Sequence, residues 1–69
     1  MGNLDVVVVF NNGEVSFLLI SPDSREEAII ISMEKWYQYT KDMEQLADKP
    51  EELNFEIKSI NVYEIYKEQ

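Results

Sequence analysis

The chain has 69 residues and a net charge of −8, with fourteen acidic residues against six basic ones, no cysteine and no histidine. That length fits one domain, residues 1–69, and not two. Disulfides, thiolate metal sites and imidazole ligands are excluded within it, so neither a metal nor a cofactor is expected. A chain this short buries only about 60% of the surface it exposes when unfolded. With no staple to help, a second copy or another partner is expected to complete its core.

A surface this negative repels phosphate backbones and anionic membranes, and Arg25 is the one arginine. Direct binding of nucleic acid is therefore not expected. Attraction to a basic surface on another protein is expected, beside the plainer role of charge in keeping a small protein dispersed. No apolar run approaches the about 18 residues of a membrane span. Residues 1–10 lack a basic start and carry Asp5, so they are not expected to be a signal peptide. A cytoplasmic location is the expectation.

In chain order, Val6-Val7-Val8-Val9-Phe10 is apolar at every position and reads as a strand covered on both faces. Asn11-Asn12-Gly13 follows, and Asn-Gly between apolar runs signals a type I′ hairpin. With Asn12-Gly13 as the loop, Phe10 would face Val15, Val8 would face Phe17 and Val6 would face Leu19. One face of this hairpin is wholly apolar, and the other is relieved only by Ser16.

Residues 21–27, SPDSREE, then announce a helix. Pro22 suits a first turn, Ser21 or Asp23 can cap it, and Ser24 and Glu27 have capping-box spacing. Glu26 and Glu27 lie near the positive end of the helix dipole. The helix is expected to run to about Asp48, stopped by Pro50. Ile29, Met33, Trp36, Thr40, Met43 and Ala47 form its apolar stripe, flanked by Ser32, Tyr39 and Leu46 on one side and by Ile30 and Tyr37 on the other. The apolar arc, from Ala28 round to Ile30, spans roughly 200°, wider than one small sheet can cover. Ile31 falls outside it. An alternative keeps residues 28–31 as a short strand, with Ser32 capping a shorter helix.

After Glu51-Glu52, Leu53, Phe55 and Ile57 alternate with polar residues as a half-buried strand. The alternation slips near Lys58-Ser59, which predicts a bulge or a turn, and resumes on Ile60, Val62, Tyr63, Ile65 and Tyr66. The expected fold is α+β: a small antiparallel sheet of three or four strands in ββαβ(β) order, with one long amphipathic helix packed on one face.

Catalytic chemistry has little to stand on. General acid–base and nucleophilic work lean on histidine, cysteine or a base-paired hydroxyl. The neighbouring acids Glu26-Glu27 and Glu51-Glu52 would not face each other on a helix. No calcium loop is present, and neither Gly2 nor Gly13 belongs to a phosphate-binding pattern. No enzymatic activity is expected.

The leading expectation is an acidic protein–protein interaction module acting as a homodimer. It would inhibit or modulate a larger protein with a basic site, of the kind that can hold nucleic acid. The carboxylates of Glu27, Glu34, Asp42, Glu51 and Glu52 would meet that site. Tyr37 and Tyr39 would supply aromatic anchors, since tyrosine buries much area while keeping a polar handle. In size, charge and composition the chain is similar in general character to small phage-encoded antagonists and nucleic-acid mimics. A second expectation is a small homo-oligomer holding a small-molecule ligand between subunits. A third is a structural subunit of an assembly.

Overall fold

The computed structural model describes residues 2–65. Its elements are strands β1 (Asn3–Phe10) and β2 (Gly13–Leu19), helix α1 (Arg25–Leu46), one 3-10 turn (Pro50–Glu52) and strand β3 (Ile57–Ile65). The strands form one antiparallel sheet in the order β2-β1-β3. This is an α+β fold in ββαβ order. There is no fourth strand among the described residues, and Tyr66 lies outside them.

The central strand β1 alternates strictly. Leu4, Val6, Val8 and Phe10 are buried on the helix side, whereas Asn3, Asp5, Val7 and Val9 are half-buried on the other. Full burial of a Leu or Val stabilises by about 1.5–3 kcal/mol relative to exposure, so this row anchors the fold.

The hairpin register corrects the sequence reading. Phe10 pairs with Gly13, Val8 with Val15, Val6 with Phe17 and Leu4 with Leu19. The loop is therefore Asn11-Asn12, one residue earlier than expected. Neither asparagine has the positive φ that a type I′ turn needs, and Gly13 takes φ 153° instead. The physical reason is a competing use for the turn. Asn11 N–H donates to the Glu56 carbonyl at 3.1 Å, and the Asn12 side chain accepts from Asn54 N–H. The pairing moves by two residues, an even number, so every side chain keeps its expected face.

Helix α1 is continuous through residues 28–31, which form no strand. Its cap is Ser24, whose Oγ accepts from Glu27 N–H at 3.1 Å. The helix ends at Leu46, two residues before the expected Asp48, with Ala47 extended at ψ 139°. Pro50 bars Lys49 from the α region, and Lys49 sits at φ −129°, ψ 78°.

The buried line runs through Ala28, Ser32 and Trp36, not along Ile29, Met33 and Thr40. This rotates the buried arc by roughly 60° from the sequence reading, at about 3.6 residues per turn. Ile30 is consequently 60% exposed, and Ile31, expected outside the arc, packs against the core. Small side chains explain the rotation. Ala28 and Ser32 let the helix backbone approach the sheet more closely than a line of isoleucines would, and the Ser32 hydroxyl is buried without a hydrogen-bond partner as a result.

Two clusters make the core. Leu4, Val6, Leu19 and Ala28 form one, with Ile31 and Val62 against it. Val8, Phe10 and Trp36 form the other, joined by Val15, Phe17, Met33, Tyr39 and Phe55. Phe10, Trp36, Tyr39 and Phe55 are in mutual ring contact, with centroids 4.9–6.4 Å apart.

β3 begins at Ile57, not at Leu53. Side-chain bonds to the backbone replace the ladder over residues 53–56: the Asn54 side chain takes Glu56 N–H at 3.1 Å while Asn12 takes Asn54 N–H. The expected slip is a bulge at Lys58, since Ser59 pairs with Val9 and Ile57 with Phe10.

The helix lies over β1 and β2. At 22 residues it is about 33 Å long, against about 26 Å for eight-residue β1, within a molecule 44 Å on its long axis. Leu46 projects from the overhanging end. Large apolar side chains stay exposed in two places: Leu18, Tyr63 and Ile65 on the sheet face opposite α1, and Ile57 and Ile60 on the helix side of β3.

Candidate functional site

The expected carboxylates fall into two groups. Glu27, Glu34 and Asp42 lie seven and eight residues apart along α1; at about 100° per residue Glu27 and Glu34 lie on its side away from the core and Asp42 on a flank, and Glu34 and Asp42 are exposed while Glu27 is half-buried. The Gln38 amide donates to Asp42 at 2.8 Å and orients that end of the strip. Glu51 and Glu52 sit apart on the 3-10 turn, which packs back against α1. Glu52 is 3.9 Å from Lys49, with both side chains about two-thirds exposed, a pair of little energetic weight.

The two tyrosines occupy different environments. Tyr37 is 61% exposed on the outer face of α1, beside Ile30. The Lys41 ammonium lies 4.8 Å from the centre of its ring. A hydrogen bond with Tyr37, followed by Tyr37's charge, raises the Lys41 pKa above the usual lysine value. Tyr39 instead stacks on Trp36 at 5.6 Å and 24°, which commits one side of its ring to the core. The outward aromatic is Tyr37.

Three of the basic residues near the acids make contacts within the chain, and a fourth, Lys35, is exposed on α1 beside Glu34. Arg25 bonds Glu64 at 3.3 Å, Lys49 approaches Glu52 and Lys41 caps Tyr37. Over residues 25–46 five carboxylates stand against three cations, so α1 is acidic as a whole, with Lys35 and Lys41 interspersed among the acids of its outer side.

The structure also exposes apolar residues that the sequence reading did not single out. On the sheet face opposite α1, Leu18 and Tyr63 flank Asp5 in one cross-strand row, and each is 55% exposed. Ile65 extends this patch. On the helix side, Ile57 and Ile60 of β3 are each 38% exposed. The signal was the presence of apolar residues on both faces of β3, which a strand covered on one face would not need.

No three His, Cys, Asp or Glu side chains among the described residues converge to hold a metal ion, and no helix among them is long and apolar enough to cross a membrane. Comparison with family models, with curated proteins and with solved structures returned no match.

Proposed function

We propose that this chain is a non-catalytic interaction module that works as a homodimer in the cytoplasm and binds a basic surface of a larger protein, inhibiting or modulating it. The observation that carries the reading is the outer side of α1, where Glu34 and the 61%-exposed Tyr37 face solvent together, with exposed Asp42 on the flank. Carboxylates there steer a basic partner from a distance, and an aromatic beside them gives short-range energy. Glu27 and the acids of the 3-10 turn extend the negative field at the two ends of the helix. A partner whose basic site ordinarily holds nucleic acid fits this chemistry, because a row of carboxylates competes with phosphates for the same cations. In size and negative charge the chain is similar in general character to phage-encoded antagonists.

The test is capture from a native lysate with wild-type bait beside a bait carrying Glu27→Gln, Glu34→Gln, Asp42→Asn, Glu51→Gln and Glu52→Gln. The wild type should retain a protein with a basic contact surface that the neutralised bait, still folded by circular dichroism, releases. Equal capture by both baits would overturn the reading.

A further inference from the structure

We propose that the free edge of β3 pairs antiparallel with β3 of a second copy of the chain, centred on Asn61, and that this joint makes the homodimer; the inference rests on the dimeric part of the reading above. β3 is an edge strand of nine residues, and its outer row of N–H and C=O groups is a ready template for another strand. α1 lies over β1 and β2, leaving apolar side chains of β3 exposed on both faces: Ile57 and Ile60 on one, Tyr63 and Ile65 on the other. A second β3 covers both faces' edges at once.

Geometry and charge select the register. A two-fold axis perpendicular to the sheet keeps each face on its own side, so the axis must pass midway between a residue and its own copy. Centring on Asn61 uses the regular stretch 59–63 and brings Lys58, at the bulge, opposite Glu64 of the second copy. Ile60 then faces Val62 and Ser59 faces Tyr63, and the Lys58–Glu64 pair occurs twice. Centring on Ile60 would set Glu56 against Glu64, like charges opposite one another. Centring on Val62 would set Ile60 against Glu64 and carry Lys58 past the end of the described strand. Glu64 already bonds Arg25 at 3.3 Å, so Lys58 of the second copy would join an existing cation at that carboxylate. The product is one six-stranded sheet with both helices on the same face.

Sedimentation equilibrium of the full chain tests this with Lys58→Glu, Glu64→Lys and their equimolar mixture. The wild type should be dimeric. Each variant alone sets like charges opposite twice and should dimerise about tenfold more weakly. The mixture should recover the wild-type affinity, because its heterodimer sets opposite charges together at both ends. One end pairs the introduced glutamate with the introduced lysine, and the other keeps the native Lys58 against the native Glu64. Recovery also shows that both variants are folded. A wild-type dimer indifferent to either reversal, or weakened variants whose mixture does not recover, would overturn the β3 joint while leaving a dimer through some other surface. A monomeric wild type would overturn the joint and the dimeric reading together.

Discussion

The Phe10 ring meets the Trp36 indole edge-on, with centroids 4.9 Å apart and planes inclined at 61°. This contact joins the last residue of the central strand to the middle of the long helix. Tyr39 and Phe55 close the ring cluster around it. Phe10→Ala should therefore cost about 3–5 kcal/mol, most of the net stability of a domain this size. Trp36 is the chain's one tryptophan, so its emission reports directly. A blue-shifted native spectrum should move red in the variant, with a large drop in the urea midpoint.

Gly13 takes φ 153°, and a Cβ there would meet nothing within 4 Å. The expected cost of Gly13→Ala, about 1 kcal/mol, is therefore purely conformational. Thermal unfolding should show a midpoint lower by several degrees. An unchanged midpoint would contradict the turn geometry.

Asn12 links the hairpin turn to the segment entering β3 through its bond to Asn54 N–H. Removing the acceptor in Asn12→Ala should cost about 1 kcal/mol. Amide exchange at Asn54 and Glu56 should quicken more than exchange in α1, because the loss is local.

Ser24→Ala removes the side chain that accepts from Glu27 N–H. The expected loss is about 1 kcal/mol, and Ser24→Asp should retain most of the stability. Chemical denaturation of the three proteins decides the point.

The sequence carried the fold wherever a periodic pattern met a single structural demand. The valine run, the Ser24–Glu27 spacing and the slip at Lys58 each translate into the strand, cap and bulge observed. The misreadings have a common cause, which is side chains with two possible uses. Asn12 could serve a type I′ turn with Gly13, but tertiary bonds from Asn11 and Asn12 to residues 54–56 moved the loop to Asn11-Asn12. Asn54 could sit in a strand, but its side chain takes Glu56 N–H. Ala28 and Ser32 carry little hydrophobic signal, yet close packing turned the helix onto them. The exposure of Glu34 and Asp42 was legible because charged side chains must reach solvent, whereas Glu27 in the first turn is half-buried. Which of Tyr37 and Tyr39 faces outward was not, since that followed from the helix rotation.

If the carboxylates of α1 and the 3-10 turn recruit a basic partner, the association rate with the captured partner must depend on salt. Steering between exposed charges is screened over about 8–10 Å at physiological ionic strength. The association rate should fall by on the order of tenfold or more from low to physiological salt. At low salt the wild type should associate faster than the neutralised variant, and Tyr37→Ala should dissociate faster than either. An association rate flat with salt, or a partner whose contact surface is itself acidic, would contradict such recruitment.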